Sequence, residues 1–316
     1  MEMRSLGPGG PKVSLVGLGC NNFGWRIDRD ATRKVIDAAV DCGINFFDTA
    51  DIYGKSQSEQ LIGELLGSRR KDIVLATKFG KGPGAVAGVR GTRAYIRQAA
   101  AASLKRLRTD WIDVYYMHEP DPGTPIDDTL GALDELVQEG KVRAIAASNF
   151  SVADINGATA SAKRNGTAAF IASQEEYRLT ERRIEKDVLP NLDRLGLGLV
   201  PFFPLGGGAL TGKYRRDQAM PQGTRLTEVE IRGQNRFLDP HWDHIEALKS
   251  FAETRGRTLV ELALCWLAQR PRVASIIAGA TRPEQVEANA HAAGWKLTPA
   301  EMAEVDTIVP GPAVAA

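Results

Sequence analysis

The sequence predicts an α/β protein folded as a (β/α)8 barrel of the TIM type, with an N-terminal β-hairpin and long loops at the C-terminal face. Three observations lead there. Eight short apolar runs recur along the chain, and near-continuous runs of this length suit strands buried on both faces of a parallel sheet. Helical patterns lie between them, and repeated strand-then-helix units close into a barrel. The length of 316 residues is normal for one such barrel, and no linker divides it, so 1–316 reads as a single domain. A doubly wound open sheet is the competing arrangement of the same units.

The strand runs are SLVGLG (14–19), INFFDTA (44–50), DIVLATKFG (72–80) and WIDVYYMHE (111–119), then VRAIAASNF (142–150), AFIASQEEY (169–177), LGLVPFFPL (197–205) and VASIIAGA (273–280). DATRKVIDAAVDCG places Ala31, Val35, Ala38 and Ala39 at helical spacing and stops at Gly43, a favoured C-terminal residue. The next helix starts at Thr92, a plausible N-cap, and is rich in good helix formers. IDDTLGALDELVQEGK carries acids in its first turn and ends in Gly140-Lys141, as the helix dipole prefers. Further helices fit 152–164, 184–194, 258–269 and 283–292. Outside the repeat, MRSLGPGGPKVS reads as a hairpin closing the bottom of the barrel. Loops 78–91 and 213–241 are long enough to be functional or mobile.

Lys plus Arg is 40 and Asp plus Glu is 39, so charge makes no case for nucleic acid or an anionic membrane as partner. No apolar stretch reaches the ~18 residues of a membrane span, and the N-terminus lacks an apolar signal core. Cys20, Cys42 and Cys265 are far apart and odd in number, which suits reduced thiols in a cytoplasmic protein. His241 and His244 in HWDH have no third metal ligand nearby, so they read as a solvated helix start and no metal is expected.

The chemistry is read at the strand ends, where a barrel of this kind keeps its active residues. Strand two ends at Asp48, with Tyr53 five residues later; strand three ends at Lys78 and strand four at His118. Strand five ends in Ser148-Asn149 and strand six in Gln174. A free tyrosine has a pKa of about 10. A nearby lysine cation favours its phenolate, and an aspartate keeps that lysine charged. A histidine can polarise a carbonyl oxygen. The set suits protonation of a carbonyl oxygen as hydride reaches its carbon. Two glycine motifs mislead. GLGCNNFG lacks the third glycine of a dinucleotide fingerprint, since residue 22 is Asn. GGGALTGKY reads as a phosphate-binding loop until Tyr214 replaces the Ser or Thr that would hold Mg²⁺.

From about residue 4 to 308 the chain resembles the aldo-keto reductase family, through FFDTADIYG, SEQLIGELL, LATKFG, DVYYMHEPDP, GKVRAIAASNF, FFPLGGGALTGKY and GATRPEQVEAN in order. The resemblance implies a (β/α)8 barrel and NADPH-dependent, reversible reduction of an aldehyde or ketone, with NADH less favoured. It places a catalytic tetrad on Asp48, Tyr53, Lys78 and His118, with Tyr53 the proton donor. Ser148, Asn149 and Gln174 match the grip on the nicotinamide carboxamide, and Phe202 the ring stacked on it. Gly19, Cys20 and Asn21 match a cofactor-facing turn, and Asp48 borders it. Leu205, Gly207 and Lys213 match the pyrophosphate side. Arg282, Gln285 and Asn289 match the adenosine end, with Arg282 on its 2′-phosphate, and Pro204, Gly279 and Thr281 count among the cofactor contacts. Phe23 and Trp25 are candidate walls of the substrate pocket beside Tyr53 and His118. Cys20, Phe203, Ala280, Ala288 and Glu119 depart from common family residues. A second function stays open: a cofactor-binding regulatory subunit, since potassium-channel β subunits resemble this pattern too.

Overall fold

The computed structural model describes residues 1–82, 84–227 and 234–312; Pro83 and residues 228–233 of the two long loops lie outside the described residues. Strands β1 (Met3–Ser5) and β2 (Lys12–Ser14) pair antiparallel around the Gly-Pro-Gly-Gly turn. Then β3 (Val16–Gly19), α1 (Arg29–Asp41), β4 (Phe46–Asp48), α2 (Gln57–Leu66), β5 (Val74–Phe79), α3 (Arg93–Leu107), β6 (Ile112–Met117) and α4 (Ile126–Gln138) alternate. The alternation continues with β7 (Val142–Ser148), α5 (Val152–Asn165), β8 (Phe170–Glu176), α6 (Val188–Leu195), β9 (Gly198–Phe202), α7 (Trp242–Glu253), α8 (Leu259–Ala268), β10 (Ile276–Gly279), α9 (Pro283–Ala292) and α10 (Pro299–Ile308).

The strands are parallel in the order β10-β3-β4-β5-β6-β7-β8-β9. The ring closes where Leu199 N–H donates to the Arg272 carbonyl at 2.7 Å and Ala274 N–H to the Leu199 carbonyl at 2.9 Å. All eight expected strands are present in a barrel, and the open-sheet alternative falls on that closure.

Alternation along each strand sorts two cores. Outward residues such as Phe47, Leu75, Tyr115, Ile145 and Leu199 pack against the helices. Inward residues Phe46, Ala76, Val114, Tyr116, Ala146, Ala172, Val200 and Ile277 fill the barrel, large beside small. Leu6 and Val13 of the hairpin join this inner cluster and plug one end of it. Truncating a ring buried there, such as Phe46→Ala, costs about 3–5 kcal/mol on the usual scale.

Helix starts follow the capping residues. Asp28 accepts from Ala31 N–H at 2.9 Å, and Ser151/Asp154 and Thr258/Glu261 form reciprocal capping boxes on α5 and α8. Helices α2 and α10 lie outside those expected. Ser56 and Glu59 have the spacing of a capping box, but Ser56 has φ 72° and makes no side-chain cap, while Glu59 bonds Thr77 and Arg106 instead. α10 does carry a capping box, Thr298/Glu301. The helix expected from 184 begins at Val188, because Arg183–Glu185 form a separate 3-10 turn and Asp187 starts the helix proper.

Candidate active site

The barrel's own period builds the site. Two positions beyond the inward residues Phe46, Ala76, Tyr116, Ala146, Ala172 and Val200 come Asp48, Lys78, His118, Ser148, Gln174 and Phe202. A period of two keeps each on the inner side, one layer nearer the C-terminal mouth. Five polar side chains and the Phe202 ring thus converge where six strands end.

Lys78 is wholly buried, and its Nζ donates to Asp48 Oδ1 at 2.5 Å, to the Thr49 carbonyl at 2.8 Å and to Tyr53 Oη at 3.4 Å. Gln174 Nε2 donates to the other Asp48 oxygen at 2.8 Å. Burial pulls the Lys78 ammonium down, but the Asp48 carboxylate and Tyr53 more than offset it, leaving its pKa above the ordinary lysine value. Burial pushes the half-buried Tyr53 phenol up, against the opposing pull of Lys78. The lysine therefore stays a cation and the phenol stays protonated at neutral pH, with the cation placed to stabilise the phenolate formed when that proton leaves.

His118 stands edge-on to Tyr53, with ring centroids 6.2 Å apart. Burial, aided by the cations of Lys78 and Lys81, depresses its pKa to about 2, so its imidazole is neutral and donates a single N–H. Its backbone is pinned on both sides, by His118 N–H to the Phe79 carbonyl at 2.9 Å and by Asn149 Nδ2 to the His118 carbonyl at 3.0 Å. Asn149 reaches there from a left-handed backbone, φ 61°, and also donates to Ser148 Oγ at 3.0 Å.

These groups border a cavity of about 730 Å³. Gly19, Cys20, Asn21, Asp48, Ser148, Asn149, Gln174, Phe202, Pro204, Leu205, Gly207, Lys213, Gly279, Thr281, Arg282, Gln285 and Asn289 all line it, as do Tyr53, His118 and Trp25. Lys78 does not reach the wall; it touches Tyr53 and Asp48, which do. Gly206, Gly207 and Gly208 turn with φ 55°, 62° and 107°, which side-chain-bearing residues rarely adopt, and Gly207 and Gly208 line the cavity. Phe203 beside them has φ 52°, an uncommon value for a bulky residue. At the far end stand Arg26, Lys213 and Arg282. Burial first, then Arg26 and Arg282, lowers the pKa of the Lys213 ammonium. Gln285 Oε1 accepts from Thr281 N–H at 2.8 Å, which orders the turn before α9.

One expected wall residue is corrected. Phe23 does not border the cavity; it is fully buried in the core between barrel and helices. The turn made by Phe23 N–H to the Cys20 carbonyl and Gly24 N–H to the Ile27 carbonyl buries that ring and leaves Trp25 exposed. Other wall residues went unnamed in the sequence: Arg26, Ile52, Lys81, Thr211, Arg225 and Val260. Five of them sit on loops, where no periodicity marks a facing; Val260 enters from the first turn of α8. Glu119 does not line the cavity; it is half-buried and held by Arg90 and Lys81. His241 and His244 have ring centroids 6.3 Å apart, and no group of three metal-ligating side chains occurs among the described residues. Among the same residues, no helix is long and apolar enough to cross a membrane.

A closed eight-strand barrel with lysine, aspartate, tyrosine and histidine at its mouth defines a class of oxidoreductase. The profile of the Aldo/keto reductase family matches residues 15–310, and the chain belongs to that family. It is similar to a probable voltage-gated potassium channel subunit beta of Arabidopsis thaliana, 34% identical with 98% of this chain and 97% of the relative covered. It is similar at 35% identity to the uncharacterized oxidoreductase YrpG of Bacillus subtilis, covering 99% of this chain and 97% of the relative. A putative potassium channel subunit beta of Schizosaccharomyces pombe is also 35% identical, with 98% and 93% covered.

Proposed function

We propose that the protein is an NADPH-dependent carbonyl reductase that reversibly converts an aldehyde or ketone to an alcohol. The observation that carries this reading is the buried Asp48–Lys78 pair within reach of the Tyr53 hydroxyl, with neutral His118 beside it on one cavity wall. The residues at the other end fit a dinucleotide. Three cations, Arg26, Lys213 and Arg282, and the cavity-lining glycines Gly207 and Gly208 suit phosphate groups. Arg282 is assigned to the 2′-phosphate, which favours NADPH over NADH. Ser148, Asn149 and Gln174 would hold the carboxamide, and the Phe202 face would stack on the nicotinamide ring. Bound there, the cofactor supplies a hydride equivalent.

The chain's own residues supply the rest. His118 donates a hydrogen bond to the substrate oxygen and places it against Tyr53. Tyr53 gives its proton to that oxygen as negative charge develops there. Lys78 stabilises the phenolate left behind, and Asp48 keeps Lys78 charged and oriented. Gln174 holds Asp48 in register with the carboxamide pocket. In the reverse direction the same phenolate accepts the alcohol proton.

The test is loss of nicotinamide absorbance from NADPH with a panel of aldehydes and ketones, run in both directions. Turnover of several supports the reading. A second reading is favoured by the channel-subunit relatives: a cofactor-binding regulatory subunit with little turnover. Tight NADPH binding with no turnover across the panel would select it.

A further inference from the structure

Beside Tyr53 and His118 the cavity wall carries a cation that the proposed reaction does not use. Lys81 follows β5 by two residues and is half-buried, with 34% of its side chain exposed. Its Nζ lies 3.3 Å from Glu119 Oε2. The other oxygen of Glu119 is taken by Arg90 Nη1. One carboxylate therefore serves two cations, and among the described residues neither cation makes another ion pair. The local sum is one positive charge. Burial, then Arg90 and Lys78, lowers the Lys81 pKa, and the Lys81 charge in turn helps hold His118 neutral. An ammonium partly withdrawn from water and only half neutralised gains most from an anion brought by a ligand.

We propose that Lys81 selects carbonyl substrates that carry a carboxylate or phosphate, with Glu119 and Arg90 fixing where its ammonium stands. The carbonyl part rests on the reductase reading; the anion preference can be measured by binding alone.

Two matched pairs serve as probes: 4-carboxybenzaldehyde with its methyl ester, and glyceraldehyde 3-phosphate with glyceraldehyde. The NADPH-loaded enzyme should prefer the anion of at least one pair by roughly ten- to hundred-fold in kcat/KM, the scale of one charge-assisted hydrogen bond. Which pair shows it separates carboxylate from phosphate. Lys81→Met, which keeps the stem and drops the charge, should bring that ratio toward one, with the loss falling on KM. Lys81→Arg should retain most of it. Calorimetry of the same four compounds on the NADP⁺-loaded protein should show the same contrast in Kd. No anion preference in the parent protein, or equal losses for anion and neutral partner in Lys81→Met, overturns the inference. A contrast in Kd without turnover upholds it and sinks the reductase reading alone.

Discussion

At the scale of single residues, the site is a chain of dependences running from Asp48 through Lys78 to Tyr53. Tyr53→Phe keeps the ring and removes the proton, so turnover should fall by roughly 10²–10⁴-fold while NADPH binding holds. A rate equal to the parent's would mean the donor lies elsewhere. Lys78→Met acts differently. It strands a buried carboxylate whose one other side-chain donor among the described residues is Gln174, so unfolding in urea should show a loss of about 3–5 kcal/mol besides the loss of turnover. Arg282→Ala should weaken NADPH roughly ten- to hundred-fold and leave NADH nearly unchanged. Equal losses for both would refute the 2′-phosphate assignment. The four residues of the proposed tetrad, which the structure brings together, could be picked out in the sequence because each stands at or near the end of an apolar run. Lys81 and Arg225 were not, because a loop residue's facing is decided by neighbours far along the chain. Phe23 failed for the same reason, lying one turn from Trp25 with the opposite burial.

At the scale of elements, the glycine stretch after β9 shows what a local motif does and does not say. GGGALTGKY resembles a nucleotide-triphosphate loop, yet it follows the penultimate strand of a barrel, and Tyr214 is a buried core residue. The backbone values explain the glycines. Gly208 has φ 107°, and a Cβ there would stand 3.0 Å from Lys213 Nζ. Gly208→Ala should therefore cost about 1–3 kcal/mol of stability and also weaken NADPH by displacing that lysine. Thermal unfolding and calorimetry read the two effects separately, and an unchanged Kd would remove Lys213 from the cofactor's grip. The loop after β3 reaches the long loop after β9, where Arg26 Nη2 donates to the Gly223 carbonyl at 3.2 Å. Lengths of 78–91 and 213–241 announced that these loops matter. Their contacts could not be read, because glycine-rich and polar segments carry no period.

At the scale of the whole molecule, burial leaves a signature in pH. Asp51 is pushed up to about 7 by burial and then by Glu59, and Glu175 to about 7 by burial against the hydrogen bonds of Ser173 and nearby backbone. Both are raised above their ordinary carboxylate values, so the folded state holds these protons more tightly than the unfolded chain. Their stabilisation is complete below about pH 4 and is lost as pH rises through about 7. Urea midpoints should decline between about pH 4 and 7 and level off above, and Asp51→Asn should flatten the decline. A variant that tracks the parent's slope would show that Asp51 is ionised throughout. The barrel itself was written in the alternation of apolar runs and helical patterns, since each run can bury both faces only between two neighbours. Composition and strand-end residues likewise determined the chemistry on offer: a lysine, an aspartate, a tyrosine and a histidine at one mouth. Only the tertiary structure decided how those groups act on one another, because desolvation and charge at a few ångströms belong to packing. It alone made His118 neutral, kept Lys78 charged, buried Phe23 and set Lys81 against Glu119 on the wall where a substrate would enter.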